Sequence, residues 1–200
     1  DIVSSLATLG FDKRRSEFFS KELLTILKLI DKGLVDPNIL YGSWAGAFGN
    51  FQFMPSTIDK YALDYDNNNK IELKSINDSF ASAANYISKI GWKKNNPCFK
   101  RISLKNNIPL KYLNTSAGNI NHKKKLSKYK KYINNYEEVE QYQNLISAII
   151  TPDIDIVDNA DKFKPAYVIF DNYELVLKWN RSLRFALAVC TLKREFENEL

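Results

Sequence analysis

One histidine, His122, is all that the 200 residues contain, which leaves no room for a His-based triad or a multi-histidine metal centre within this chain. Cysteine is nearly as scarce. Cys98 and Cys190 lie far apart with no metal-type partner at short spacing, so they form either one disulfide or two buried thiols. No apolar run approaches the roughly 18 residues that a bilayer-spanning helix needs. Neither an initiator Met nor a basic-then-apolar leader opens the sequence. Its first stretch, "DIVSSLATLGFDKRRSEFF", already reads as structured, so the numbering is expected to start partway into a longer gene product, with any targeting signal upstream.

What is present bounds the rest. A 44% hydrophobic content buries a real core, and the length suits one domain with a small insertion. The net charge of +6, from 29 basic against 23 acidic residues, favours an anionic partner such as nucleic acid, an acidic glycan or an anionic membrane surface. Much of the excess sits in "NHKKKLSKYKKY" (121–132), read as a solvated or mobile stretch. Tyr129 and Tyr132 could offer stacking faces there. Because the run lies in the region with the least recognisable framework, no nucleic-acid partner is expected.

Periodicity divides the chain. Leu6 and Leu9, then Phe18, Phe19, Leu23, Leu24, Leu27 and Ile30, recur at helical steps and imply two helices parted near "GFDKR". "MPSTIDKYAL" reads as a helix that tolerates Pro55 in its first turn. "INDSFASAANYISKIGW" reads as another, with Phe80, Ala83, Ala84, Ile87 and Ile90 as its apolar face. Beyond Trp92, "CFKRISL", "LISAIITPDIDIV" and "AYVIFDNYELVL" read as strands. Residues 105–140 read as a variable polar insertion with one helix near "NYEEVEQYQN". A helical pattern returns from Ser182. The expected class is mainly α (α+β): a helical core over 1–94, a small strand-rich lobe over 95–178 and a closing helix over 179–200.

Two stretches carry chemistry. "GSWAGAFGNFQFMPS" (42–56) crowds three glycines among Trp44, Phe48, Phe51 and Phe53. Missing side chains let a backbone or a ligand come close, and a ring beside such a gap offers a face to the apolar side of a sugar. A tightly packed junction with core aromatics reads the same way. Ser43 and Gln52, polar among the rings, tilt the reading toward a ligand with amide and hydroxyl groups, such as an N-acetylated sugar. In "DYDNNNKIEL", Asp64, Asp66 and Asn68 alternate as at the start of an EF-hand calcium loop, with the Lys70 carbonyl and Glu72 as further oxygens. Asn69 replaces the usual glycine, which Asn tolerates, and Ser75 replaces the closing Glu unless Asp78 substitutes for it. A metal-free Asx-rich turn is the competing reading.

The span "GSWAGAFGNFQFMPSTIDKYALDYDNNNKIELKSINDSFASAANYISKIGW" resembles the core of the membrane-bound lytic murein transglycosylase B family (glycoside hydrolase family 103), bacterial enzymes that cut peptidoglycan. "SSLATLGFDKRRSEFFSKEL" is similar to the segment leading into that core, and "KWNRSLRFALAV" resembles its closing element. The likeness covers 1–92 and about 165–190, leaving 95–145 unmatched. It implies a lysozyme-like helical core with a cleft and a calcium site in an EF-hand-like loop. Ser43, Gln52 and Phe53 would line sugar subsites, Tyr86 would face the cleft near the cleavage point, and Asn180 would bind on the opposite wall. Trp179 and Phe185 stand where the family has tyrosines, keeping ring surface without the hydroxyl. Asp64, Asp66, Asn68, the Lys70 carbonyl and Asp78 would hold Ca2+. No organic cofactor is expected.

The family's catalytic glutamate lies in a Glu-Thr-x-x-Gly type motif upstream of the "LATL" segment, and these 200 residues contain no such motif. Glu17 and Glu22 read as solvent-side charges. The expectation is therefore a lytic transglycosylase whose acid precedes Asp1, so that this chain alone is inactive. The alternatives are an inactive peptidoglycan-binding or scaffold module with the same cleft, and a calcium-responsive binding protein. The implied partner is the peptidoglycan glycan strand, and the implied location is the bacterial periplasm or cell envelope, with any membrane attachment through an upstream anchor.

Overall fold

The structure, a computed structural model, describes residues 1–154 and 156–199. It comprises two compact units, Asp1–Gly91 and Trp92–Leu200.

The first unit holds α1 (Ile2–Phe11), α2 (Ser16–Asp31), α3 (Pro55–Tyr61) and α4 (Ile76–Lys89). α1 starts where the Asp1 carboxylate accepts the Val3 N–H at 2.8 Å, satisfying one of the orphan donors of a helix start. Pro55 opens α3, where its missing N–H costs nothing. Ile2, Leu6, Ile26, Leu29, Leu40, Phe48 and Ile58 are almost fully buried and form the core.

Two expected faces differ. On α2 the buried positions are Phe19, Glu22, Ile26 and Leu29, while Leu24 and Leu27 are exposed. On α4 they are Asp78, Ser79, Ser82, Ala83 and Tyr86, whereas Phe80 is 60% exposed and Ala84 is also outside. The reason is a demand for hydrogen bonds. Residues 62–75 pack against α4 without regular structure, and their backbone groups must find partners. Ser82 Oγ accepts the Leu63 N–H at 2.9 Å, Asp78 accepts those of Tyr65 and Glu72, and Asn85 donates to the Tyr61 carbonyl at 2.8 Å. The inner face of α4 is polar because it replaces water for a loop.

The second unit is built on a five-stranded sheet: β1 (Phe99–Ile102), β2 (Leu113–Asn114), β3 (Lys124–Lys125), β4 (Ile146–Ile150) and β5 (Ala166–Ile169). The order is β1-β5-β4-β2, with β3 also on β4; β2 runs parallel to β4 and the other pairings are antiparallel. α5 (Asp171–Trp179) and α6 (Leu183–Glu199) complete it. Alternation along the strands feeds two cores. Ala148, Ile150 and Ile169 join Tyr173, Val176 and Ala186, while Ile149, Ala166 and Val168 join Leu126, Tyr129 and Ile133.

Three stretches of the second unit differ from expectation. The stretch 166–177 is a strand only to Ile169; α5 begins at Asp171, its alternating pattern overruled by the packing of Tyr173, Val176 and Leu177. The strand expected over 145–157 stops at Ile150, and Asp155 lies outside the described residues. Residues 105–140 are no loose insertion. They hold 3-10 turns at Leu110–Tyr112, Leu126–Tyr132 and Tyr136–Glu138, followed by another at Glu140–Tyr142, and Leu126, Tyr129, Ile133, Tyr136 and Val139 are buried. Within Leu126–Tyr132 the apolar positions 126, 129 and 132 are three apart, which is the 3-10 repeat. Lysines 125, 128 and 131 do face solvent, as expected of the basic run, but Tyr129 anchors it by donating to the His122 carbonyl.

The cysteines are joined. A disulfide links Cys98, just before β1, to Cys190 on α6, closing a sequence separation of 92 residues.

Candidate functional site

The glycine-rich loop of the first unit is drawn tight by two reciprocal backbone bonds, Phe48 N–H to Phe53 O at 2.9 Å and Phe53 N–H to Phe48 O at 2.8 Å. Gly46 and Gly49 make that closure possible. Both have positive φ, +87° and +80°, and a Cβ would lie 2.3 Å from Leu6 Cδ2 at Gly46 and 2.5 Å from Leu73 Cβ at Gly49. The bare backbone there is needed for protein packing.

The polar residues are held in the same tight loop. Ser43 Oγ accepts the Ala47 N–H at 3.0 Å, which leaves its own hydrogen to donate. Gln52 adopts φ +53° and donates its side-chain amide to the Gly49 carbonyl at 2.8 Å. Its amide oxygen has no partner among the described residues. One donor and one acceptor are thus presented by a rigid frame.

The aromatic groups sort by burial. Phe53, 3% exposed, packs at 5.7 Å from Tyr86, itself 9% exposed and 5.0 Å from Tyr61. Burial, with the neighbouring Tyr61, pushes the Tyr86 phenol above its ordinary range. Open ring surface comes from others: Trp44 is 79% exposed, Tyr41 is exposed too, and Phe80 meets Phe51 edge-on at 5.1 Å. Trp44, one of the rings of the glycine-rich stretch, and Tyr41, which the sequence reading passed over, supply the open faces that buried Phe53 and Tyr86 do not. Trp179 and Asn180 belong to the second unit, at the end of α5, half-buried and exposed respectively, and Phe185 follows on α6.

The acidic loop meets the start of α4 through Asp78. One carboxylate oxygen each from Asp64, Asp66 and Asp78 lie within 4.8 Å of one another. Oxygens sharing one Ca2+ at about 2.4 Å are separated by no more than about 5 Å, so the group fits such an ion. Asp78 is fully buried, and its two oxygens accept the Tyr65 and Glu72 N–H groups at 2.9 and 2.8 Å. Asp64 accepts Asn68 and Asn69 N–H groups, and Asn68 Oδ1 accepts that of Lys70 at 2.8 Å. Asn67 and Asn69 take φ of +61° and +65°, so Asn does what glycine does elsewhere. Lost hydration pushes the Asp66 carboxyl above the usual aspartate range, and the charges of Asp78 and Asp64 push the same way. A hard, oxygen-seeking cation would relieve that repulsion. Glu72 instead accepts from the Asn68 side-chain amide at 2.8 Å.

One carboxylate departs from expectation. Glu17 is the exposed partner of Lys21, but Glu22 is 4% exposed and accepts both the Ser56 N–H at 2.8 Å and the Ser56 hydroxyl at 2.6 Å. It is a buried cap of the first turn of α3.

Comparison with known proteins extends the geometry. A family model described as "Transglycosylase SLT domain" matches residues 1–194. Membrane-bound lytic murein transglycosylase B of Escherichia coli (strain K12) is 45% identical over 94 residues, 46% of this chain and 26% of that protein. The crystal structure of SltB3 from Pseudomonas aeruginosa in complex with NAG-anhNAM-pentapeptide is similar with a TM-score of 0.80 and 28% identity, covering 98% of this chain and 50% of that one. The Escherichia coli lytic transglycosylase Slt35 in complex with calcium is similar with a TM-score of 0.72 and 27% identity, over 96% and 58%. The chain therefore spans only part of each relative's length. Its fold is that of the lysozyme-like lytic transglycosylases, and the chain belongs to the transglycosylase SLT domain family.

Proposed function

We propose that this chain is part of a peptidoglycan lytic transglycosylase, cleaving the β-1,4 bond between N-acetylmuramic acid and N-acetylglucosamine with closure of a 1,6-anhydro ring. The observation that carries the reading is the loop at 42–54, where Gly46 and Gly49 allow a closure that presents the Ser43 hydroxyl and the Gln52 amide oxygen beside exposed Trp44. The Ser43 donor and the Gln52 acceptor suit an acetamido sugar, and the Trp44 ring suits its apolar face. Phe53, buried against Tyr86 with ring centres 5.7 Å apart, anchors this loop. Because SltB3 is seen with a NAG-anhNAM-pentapeptide, the glycan strand is the partner we assign.

The chemistry follows from a single carboxylate. A glutamic acid in an apolar surround stays protonated near neutral pH and gives its proton to the glycosidic oxygen as the C1–O bond breaks. With no second carboxylate as nucleophile, the muramic C6 hydroxyl attacks C1 and returns its proton to the glutamate, so no water is consumed. In this chain Glu22 is committed to Ser56 and Glu17 to Lys21, which supports an acid supplied by a segment before Asp1. Asp64, Asp66 and Asp78, with Asn68 Oδ1 and the Lys70 carbonyl, would hold Ca2+, whose charge would pin the loop that follows α3. The Cys98–Cys190 disulfide suits an oxidising compartment and supports a periplasmic or envelope location, with any membrane attachment outside these residues.

The test incubates purified peptidoglycan with this chain and with a version extended upstream by about 80 residues, and seeks 1,6-anhydromuropeptides by mass spectrometry. Anhydro products from the extended version alone are expected. If neither version makes them while the chain still binds glycan strands, the protein is a binding module and the enzymatic reading is wrong.

A further inference from the structure

We infer that the strand-bearing unit holds a second binding site, for a short peptide carrying two or more carboxylates, in the cavity beside the Cys98–Cys190 disulfide. The cavity measures about 380 Å3, and its charged lining is Lys94, Lys100, Lys193, Arg194 and Glu197. Four cations thus face one carboxylate. Lys193 is engaged by Glu197, and Arg194 pairs with Glu195 at 2.8 Å. Lys94 and Lys100 have no acidic partner among the described residues; Lys100 only lies 5.5 Å from the centre of the Tyr142 ring. Lys94 and Lys100, added to two paired cations, leave the cavity net positive, and an entering anion offsets that charge.

The frame is rigid before any ligand arrives. Asn172 is fully buried and clamps the segment that bears Lys94: its side chain accepts the Lys93 N–H at 3.0 Å and donates to the Lys93 and Asn96 carbonyls at 2.7 and 2.8 Å. Phe170 N–H then holds the Cys98 carbonyl at 2.9 Å, and the disulfide ties the same point to α6, which carries Lys193 and Arg194. The backbone of such a frame loses little freedom on binding, so the ordering cost falls on the lysine side chains alone. A peptide fits better than a bare anion. The volume is near the lower bound for small-molecule pockets, about 300 Å3, which is room for a few residues. Pro97, Phe99 and Tyr142 add apolar surface, and Asn95 and Asn96 add amide groups that match a peptide backbone. Under the proposed function such a ligand is a murein stem peptide; that identification alone rests on the proposed function.

The test titrates the whole chain, by NMR, with acetylated alanyl-glutamyl-alanine, which bears two carboxylates, with its diamide, and with inorganic phosphate. Peptide-free glycan strands form a separate arm. Saturable shifts around Lys94, Lys100 and Arg194 are expected with the dicarboxylate and not with the diamide. A Lys94→Gln, Lys100→Gln double variant should bind at least about tenfold more weakly, whereas Lys128→Gln binds as the parent does. Equal binding by the double variant, no saturation with the dicarboxylate, or tighter binding of phosphate than of peptide overturns the inference. Glycan strands that bind while the tripeptide fails sink this site and spare the proposed function; tripeptide binding without glycan-strand binding spares the site and removes the sugar-contact role given to the 42–54 loop.

Discussion

Glu22 and Ser56, 34 residues apart, are joined by two hydrogen bonds to one buried carboxylate. The bond binds α2 to the first turn of α3, immediately after the glycine-rich loop, so the position of that loop depends on a residue that touches no ligand. Glu22→Ala removes two charge-assisted hydrogen bonds made by a buried carboxylate and should lower stability by about 1–3 kcal/mol. Glu17→Ala removes only an exposed ion pair and should change it by less than about 0.5 kcal/mol. Urea unfolding of the two variants checks the contrast; equal losses would contradict it.

Calcium should raise the thermal midpoint of this chain and a chelator should return it. At a hundred times the dissociation constant the gain is about 2.7 kcal/mol. Asp78→Asn removes a buried ligand charge and should abolish most of that shift, while magnesium, smaller and reluctant to shed water, should substitute poorly. Calorimetry with each ion decides.

Trp44 is 79% exposed and contributes little to the core. Replacing it with Ala should leave the thermal midpoint within about 1 °C of the parent yet weaken glycan-strand binding about tenfold, on the scale of an aromatic face lost from a ligand. Co-sedimentation with peptide-free strands measures the second effect.

The disulfide closes a loop of 92 residues in sequence separation. A Cys98→Ala, Cys190→Ala variant should be less stable by about 4.6 kcal/mol if unfolded-state entropy dominates. Mild reduction should lower the unfolding midpoint of the parent and leave the variant unmoved, as denaturant melts with and without a dithiol will show.

Alkali should destabilise the second unit. Burial raises the phenols of Tyr129 and Tyr173, with smaller contributions from Tyr112 and Tyr167, well above the ordinary tyrosine value. Their hydroxyls donate to the His122 and Leu183 carbonyls. A raised folded value means that the folded state keeps a proton the unfolded chain releases, so this stability is intact below about pH 10 and is lost as pH rises through the folded values, by up to about 1.4 kcal/mol per pH unit per tyrosine. Tyr129→Phe should flatten that slope; an unchanged slope in urea melts between about pH 9 and 11 would refute the assignment.

The four helices of the first unit and the alternation of Asp64, Asp66 and Asn68 were legible because each rests on neighbours in sequence: 3.6-residue periodicity, a proline at a first turn, oxygens on every second residue of a tight loop. The 3-10 core around Tyr129 was not, since its three-residue repeat is interleaved with lysines and invites a solvent-side reading. Glu22 misleads for the opposite reason: its partner, Ser56, is supplied by a distant turn, and a single helix pattern says nothing of what arrives from elsewhere.

The family, the carboxylates of the acidic loop and the composition of the glycine-rich loop could be read along the chain, because motif order and spacing are local properties. Tertiary structure alone decided that Cys98 meets Cys190, that Phe53 and Tyr86 are buried while Trp44 is open, and that α4 turns Asp78, Ser79 and Ser82 inward. Those outcomes depend on which groups are brought together from far apart and on the requirement that each buried polar group find a partner, and neither is written in any local pattern.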